Sequence, residues 1–387
     1  MHVVLVQLPV PKINFGLNTG NIPLAGACLK QASAGIPGSR VTCLSRPLAD
    51  HAGDAALVSA IAGLEPDVVG FTLYAWNRDR SLYIARVIKN QTGCRILVGG
   101  PEITPDTRDS LPGFIDRAVM GEGEDAFAAF LKGQDSPLPS GQDRSVPLHS
   151  GHLSRVSPYS TGDLELGPDR VMLLETQRGC PHRCGFCYYN KARGKRLVVP
   201  DRQVLADFQW GVEQGAGEVY LMDPSLDARP GLEGLLKEMA RLNAGNRVGL
   251  ISEIRAESVT PGMADLYASA GFSGFEAGLQ STNPAAQKIM NRPTRLDRFL
   301  KGVTCLQQVG IEPTIDIIFG LPGDTLAGFC QTVDFVSDHQ MDARVQVFPL
   351  LVLPGTDFRR NRDRLGLVHD PHPPYPVTAT RGFSPSD

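Results

Sequence analysis

Three features are missing from this 387-residue sequence, and each absence argues against one type of protein or partner. No apolar run approaches the roughly 20 residues that a membrane-spanning helix needs. Lys and Arg (38) do not outnumber Asp and Glu (41), so the net charge of −3 gives no general attraction for nucleic acid. The first residues, Met1 to Val6, lack the basic region and cleavage site of a secretion signal. We therefore expect a cytoplasmic protein whose partners include neither a membrane nor a nucleic acid.

The sequence also lacks the cysteine pattern of a disulfide framework. Of its 8 cysteines, three are clustered and five are scattered. Cys28, Cys305 and Cys330 fall inside amphipathic helical patterns, so we expect them to be small buried residues. A hydrophobic content of 42% and a charged content of 20% are typical of a soluble globular protein, and the length allows two domains.

The clustered cysteines are Cys180, Cys184 and Cys187, at CxxxCxxC spacing after an apolar run. Three thiolates at this spacing can hold three irons of a four-iron cluster and leave the fourth iron open for catalysis. A structural zinc site would need a fourth ligand, and only His182 is close in sequence. A ferredoxin motif would continue to a fourth Cys followed by Pro, but Cys187 is followed by Tyr188. The spacing therefore favours a catalytic [4Fe–4S] cluster over both alternatives.

With the aromatic Phe186 before its last cysteine, this stretch resembles the radical S-adenosylmethionine (SAM) superfamily, whose signature is CxxxCxφC. The resemblance implies that the open iron chelates SAM and that one electron cleaves SAM to a 5′-deoxyadenosyl radical. It also implies an electron donor of the flavodoxin or ferredoxin type. In such enzymes the protein positions the cofactor and excludes water.

Residues 1–135 alternate between strand and helix patterns, with apolar runs at His2–Val6, Val41–Leu44, Val68–Leu73 and Ile96–Val98. This alternation predicts a doubly wound parallel sheet, whose ligand crevice lies at the carboxyl ends of the strands. Gly99 and Gly100 follow the fourth strand, where they would either let a ligand approach the backbone or form a plain tight turn.

Several short stretches of this region resemble the cobalamin-binding domain that precedes many radical SAM enzymes, and they contain Thr72, Gly99, Gly100 and Glu122. The resemblance implies that these four residues lie near cobalamin. The motif D-x-H-x-x-G, which supplies a histidine to cobalt, is absent. We therefore expect cobalamin without a histidine on cobalt, although some relatives keep the fold without the cofactor.

Residues 136–168 are rich in Pro, Gly, Ser and Asp and predict a linker. From 169 to 360 six strand-plus-helix units predict a partial (β/α)6 barrel, with its chemistry at the carboxyl ends of the strands. Residues 361–387 form a Pro-rich C-terminal tail. Polar residues recur at the strand ends, and the resemblance places SAM contacts near Asp223, Glu253, Arg255, Gln280 and Ser281.

The favoured function is a radical SAM enzyme that methylates an unactivated carbon or phosphorus of a small molecule or peptide with the help of cobalamin. The first alternative keeps the radical chemistry without methyl transfer, as a rearrangement, cyclisation or deoxygenation. A cobalamin or iron–sulfur sensor would leave the polar strand ends unexplained. A tRNA methylthiotransferase would carry an additional N-terminal cysteine set and a basic C-terminal module, which this sequence lacks.

Overall fold

The computed structural model of the chain describes residues 1–10, 20–133, 157–189, 196–341, 344–384 and 386. The chain divides into two compact units, Met1–Glu165 and Leu166–Asp387. Within the described residues, no helix combines the length and the apolar character needed to cross a bilayer.

The first unit contains a five-stranded parallel sheet in the order β2-β1-β3-β4-β5. Its strands are β1 (His2–Val6), β2 (Arg40–Cys43), β3 (Val68–Thr72), β4 (Arg95–Gly99) and β5 (Arg117–Ala118). Its helices are α1 (Leu24–Ala32), α2 (Arg46–His51), α3 (Asp54–Ala62), α4 (Arg78–Thr92), α5 (Pro105–Arg108) and α6 (Glu124–Leu131).

Both faces of this sheet are buried, because side chains alternate across each strand. Val4 and Val6 of β1 belong to an apolar cluster with residues of α3 and α4. Val3 and Leu5 belong to a second cluster that includes Phe127 of α6. The doubly wound α/β prediction is therefore confirmed for this unit.

The second unit contains a six-stranded parallel sheet in the order β13-β12-β11-β10-β9-β6. Its strands are β6 (Val171–Leu174), β9 (Glu218–Leu221), β10 (Gly249–Ile254), β11 (Phe272–Gln280), β12 (Thr314–Phe319) and β13 (Val345–Pro349). Two short antiparallel pairs join β7 (Gln177–Arg178) with β8 (Leu197–Val198), and β14 (Val368–His369) with β15 (Val377–Ala379).

The helices between these strands follow the predicted alternation. They are α7 (Asp201–Glu213), α8 (Leu232–Leu242), α9 (Pro261–Ala270), α10 (Pro284–Ile289), α11 (Leu296–Gln308) and α12 (Leu326–Asp338). Ile315 and Ile317 of β12 pack with α11 and α12 in one apolar cluster. Asp316, between them, therefore points to the opposite face, which is the barrel interior. The partial (β/α)6 barrel is confirmed.

The segment after β13 is folded onto the second unit. It forms α13 (Asp357–Arg360) and α14 (Arg362–Leu365) before the β14–β15 pair. Leu367, Tyr375 and Phe383 bury their side chains to 5%, 3% and 6% exposure. Residues 157–165, from the segment predicted as a linker, belong to the first unit.

The expected burial of Cys330 is wrong. The buried residues of α12 are Gly328, Thr332 and Val336, which recur every four positions. Cys330 lies two positions from Gly328 and is exposed, because two residues turn a helix by more than half a revolution.

Candidate active site

The cysteine loop, residues 180–187, follows β6 and β7 at the carboxyl end of the sheet. Asp223, which follows β9 and is 0% exposed, fixes the start of this loop. Its Oδ1 accepts a hydrogen bond from the backbone N of Gln177 at 2.6 Å, and the Gln177 side chain donates to the carbonyl of Ser225 at 2.9 Å. Burial raises the pKa of Asp223 to about 7. Asp223 thus positions the loop through its backbone.

The far side of the loop is held by residues more than a hundred positions away. The backbone N of Gly185 donates to the carbonyl of Met290 at 2.8 Å, and that of Phe358 donates to the carbonyl of Gly185 at 3.0 Å. A Cβ at Gly185 would lie 2.7 Å from the Phe358 ring, so glycine is required there. Phe186 packs edge-on against Phe358, with ring centroids 6.4 Å apart. The loop is therefore clamped by the end of α10 and the start of α13.

The three thiols lie within electrostatic range of one another. Burial, and then the charges of Cys184, Cys180 and Glu253, raise the pKa of Cys187 to about 12. Burial also raises the pKa of Cys180, while Arg292 and Arg255 oppose that change. Among the described residues, no three His, Cys, Asp or Glu side chains already converge as a metal-binding group. Three mutually interacting thiols with two arginines beside them nevertheless fit an anionic iron–sulfur cluster, which binds thiolates.

The side chain of His182, inside the loop, contacts Ser225. Its Nε2 lies 3.4 Å from the Ser225 Oγ, which in turn donates to Asp227 Oδ1 at 2.6 Å. The same oxygen accepts the backbone N–H of Arg255 at 3.1 Å. Burial and the Arg255 charge lower the pKa of His182 to about 4, so the imidazole is neutral near pH 7. This chain of contacts joins the loop to the end of β10.

The barrel interior carries three carboxylates on neighbouring strands. Glu253 of β10 is paired in register with Glu276 of β11, and Asp316 lies on β12. Burial, followed by the charges of Glu276 and Asp316, raises the pKa of Glu253 to about 7. Burial and Glu276 raise the pKa of Asp316 to about 7. Tyr220 of β9 belongs to the same group, since its phenol hydrogen-bonds Glu253.

Glu253 is among the residues that the sequence singles out, but Glu276 and Tyr220 are not. The signal was present, because both occupy interior positions of predicted strands. Without the register between neighbouring strands, however, the sequence does not show which interior side chains contact one another.

Of the last two predicted SAM contacts, Gln280 ends β11 and Ser281 follows it. Ser281 is 1% exposed, and its hydroxyl donates to Asp324 at 2.8 Å, so it ties this loop to the one after β12. Gln280 has a φ of 67°, a left-handed conformation that costs energy in a non-glycine residue. Its amide folds back over Gly278.

In the first unit, the predicted cobalamin residues lie near the carboxyl ends of β3 and β4, with Glu122 before α6. Thr72 ends β3, and Gly99 ends β4 beside it in register. A Cβ at Gly99 would meet its nearest atom, the Val119 carbonyl, at an ordinary 3.7 Å. Gly100 has a φ of 103°, and a Cβ there would lie 2.6 Å from the Leu73 carbonyl. The tight turn alone is therefore sufficient reason for a glycine at position 100. At position 99, a Cβ would fit without a clash.

An aromatic pair that is not among the residues predicted from the sequence follows β3. The rings of Tyr74 and Trp76 stack with centroids 4.5 Å apart, and Trp76 is 46% exposed. A flat apolar surface at this end of a doubly wound sheet suits a large planar ligand. Two aromatic residues within three positions after a strand were a usable sequence signal.

Family models match both units. Residues 31–131 match the B12 binding domain, and residues 174–336 match the Radical SAM superfamily. These matches confirm the cofactor prediction, because the two domain types work with cobalamin, and with SAM and a [4Fe–4S] cluster, respectively.

Curated relatives are similar at modest identity. The cobalamin-dependent radical SAM methyltransferase TokK of Streptomyces tokunonensis is 24% identical over 336 residues, covering 75% of this chain and 48% of that protein. The ribosomal protein uS12 methylthiotransferase RimO of Salinispora arenicola is 26% identical over 276 residues, covering 65% of this chain and 52% of that protein. The chain thus spans about half the length of the curated relatives it matches.

Solved structures share the fold. The radical SAM methyltransferase TsrM from Kitasatospora setae, with cobalamin and a [4Fe–4S] cluster bound, has a TM-score of 0.73 at 19% identity and covers 96% of this chain and 79% of its own. The cobalamin-dependent SAM radical enzyme OxsB has a TM-score of 0.73 at 15% identity and covers 98% of this chain and 64% of its own. The chain thus carries a radical SAM domain, residues 174–336, preceded in the sequence by a B12-binding domain, residues 31–131.

Proposed function

We propose that this protein is a cobalamin-dependent radical SAM methyltransferase that acts on an unactivated carbon, or on phosphorus, of a small molecule or peptide. The observation that carries the proposal is a three-thiol loop clamped at the carboxyl end of a partial barrel, in a chain that also carries a B12-binding domain. TokK is named as a cobalamin-dependent radical SAM methyltransferase, and TsrM is named as a radical SAM methyltransferase with cobalamin and a [4Fe–4S] cluster bound.

In this proposal Cys180, Cys184 and Cys187 hold the cluster. When bound, the cluster supplies the electron for reductive cleavage of SAM, and cobalamin supplies a methyl carrier. Phe186 packs the loop against Phe358 and keeps water from that side.

The predicted SAM residues divide into two groups by their contacts. The charge of Arg255 opposes the raised pKa of Cys180 and the charge of Glu253 raises the pKa of Cys187, which supports direct contact of both side chains with SAM. Asp223 and Ser281 hydrogen-bond to other residues of the strand-end loops, so we assign them to positioning these loops. Gln280 is held in a strained conformation at the end of β11, where strain is common at ligand sites.

In the first unit, Thr72 and Gly99 form the strand-end rim for cobalamin, and Gly100 makes the tight turn that follows Gly99. Glu122 and the apolar surface of Trp76 complete the proposed cobalamin residues. The electron donor is a flavodoxin or ferredoxin. The eight free cysteines support a reducing compartment, the cytoplasm.

The test is anaerobic reconstitution with iron, sulfide and cobalamin, followed by product analysis with SAM and a reductant. We expect about four irons per chain, as a cubane requires, and both 5′-deoxyadenosine and S-adenosylhomocysteine during turnover. Cys184→Ala should abolish both products, whereas the matched variant Cys305→Ala should keep them. Formation of 5′-deoxyadenosine alone, with no cobalamin bound, would replace methyl transfer by a rearrangement, cyclisation or deoxygenation.

A further inference from the structure

In the second unit, the guanidinium of Arg292 donates to a cysteine sulfur of the cysteine loop. Its Nη1 lies 3.8 Å from the Sγ of Cys184, which is itself 5% exposed. Its Nη2 donates to the carbonyl of Gly278 on β11 at 2.6 Å. The side chain therefore bridges the cysteine loop and the barrel wall.

The backbone around Arg292 is built to present it there. Asn291, which follows the C-cap residue Met290 of α10, has a φ of 52°, a left-handed conformation that asparagine tolerates. The backbone N–H of Arg292 donates a hydrogen bond to the carbonyl of Gln287 at 3.0 Å. The backbone N–H of Asn291 donates to the carbonyl of Lys288 at 3.2 Å. This is the Schellman pattern of a helix end. The Asn291 side chain also donates to the Arg183 carbonyl at 2.9 Å, so the same turn braces the loop.

The charge of Arg292 acts on both sides of the site. It opposes the raised pKa of Cys180 on the loop, and it opposes the raised pKa of Glu253 and Asp316 in the barrel. Glu253 has the contrary effect on the loop, since its charge raises the pKa of Cys187. Arg292 is thus a cation placed between a thiolate-forming loop and buried carboxylates.

Reduction adds negative charge to an iron–sulfur cluster, and hydrogen bonds to its cysteine sulfurs are one of the factors that set its reduction potential. A donor that is also a cation stabilises the reduced form more than the oxidised form, and the half-buried surroundings strengthen the effect. We propose that Arg292 is a positioning residue that holds the Cys184 sulfur and raises the reduction potential of the cluster bound there. This inference rests on the proposed function, because it presupposes a cluster on the three cysteines.

The test is an EPR-monitored redox titration of the reconstituted protein and three variants of this position. Arg292→Lys keeps the charge without the planar fork, Arg292→Gln keeps N–H donors without the charge, and Arg292→Met keeps neither. We expect the midpoint potential to move to more negative values in the order wild type, Lys or Gln, Met. Arg295→Met is the matched control, because Arg295 is 62% exposed and pairs with Asp297 on the surface; its midpoint should equal that of the wild type.

Midpoints of the Lys and Gln variants that coincide with the wild type at full iron content would overturn the inference, whether or not the Met variant retains iron. A positive shift on removing the arginine would also overturn it. Failure of the wild-type protein to bind any four-iron cluster would overturn the proposed function instead, so the two failures are distinguishable by iron content.

Discussion

Gly99 and Gly100 are adjacent at the end of β4, and their surroundings separate two uses of glycine. Gly100 is required by its own backbone, since its φ is 103° and a Cβ would press on the Leu73 carbonyl. We expect Gly100→Ala to lower the thermal midpoint of the protein with or without cobalamin. Gly99→Ala should leave the thermal midpoint unchanged and reduce cobalamin uptake, which the absorbance of bound cobalamin measures. Equal cobalamin binding by Gly99→Ala and the wild type would remove Gly99 from the cofactor rim.

Asp223 gives a second prediction at this scale. Asp223→Ala leaves the buried N–H of Gln177 without its acceptor, which costs about 1–3 kcal/mol in the free energy of unfolding. Asp223→Asn is the matched control, because an amide oxygen can still accept that hydrogen bond. Urea unfolding of both variants measures the difference. The positioning role is contradicted if the Ala variant matches the Asn variant in both stability and retained iron.

At the scale of elements, the sequence predicted the strands and the cysteine loop but not the contacts that hold the loop. Runs such as His2–Val6 and Val68–Leu73 are apolar because parallel strands are buried on both faces, so local pattern was sufficient. Met290 and Phe358 are remote from Gly185 in sequence, and no local pattern connects them with it. Glu276 and Tyr220 were missed because only strand register shows which interior side chains meet.

The three interior carboxylates predict a pH dependence of stability for the cluster-free protein. In the folded protein the pKa of Glu253 and the pKa of Asp316 are raised to about 7, from ordinary pKa values of 4.5 and 3.8. Between those ordinary values and pH 7 the folded state binds more protons than the unfolded state, so the free energy of unfolding falls as pH rises. The contribution of these two carboxyl groups to the free energy of unfolding is fully present below about pH 4 and is lost by about pH 7.

Glu276→Gln should reduce this loss, because the charge of Glu276 raises the pKa of both Glu253 and Asp316. In urea unfolding the variant should be more stable than the wild type at pH 8 and differ less from it at pH 5. The control Asp297→Asn changes an exposed ion pair, which contributes little to stability, and should show no such difference. Parallel pH profiles for Glu276→Gln and the wild type would show that the three carboxylates do not interact.

At the scale of the whole chain, the two units differ in how their strands are joined. In the first, β1 lies between β2 and β3, so the chain must return across the sheet. In the second, leaving aside the β7–β8 pair, each strand of the six-stranded sheet pairs with the next along the chain, from β6 to β13. Pairing each strand with the next along the chain keeps the sequence separation of these parallel contacts as small as the intervening helices allow, and large separations are what slow folding.

That order has a consequence for synthesis on the ribosome. The sheet can grow strand by strand as the chain emerges, at about 5–20 residues per second. The cysteine loop is synthesised before the residues that clamp it. Met290 comes next, and Phe358 follows near the end of the described chain. Nascent protein should therefore carry exposed thiols on an unsupported loop for several seconds or longer, at that rate of elongation. Stable iron loading is then a step that follows synthesis of Phe358, and ribosome-bound intermediates that end before Phe358 should retain no iron.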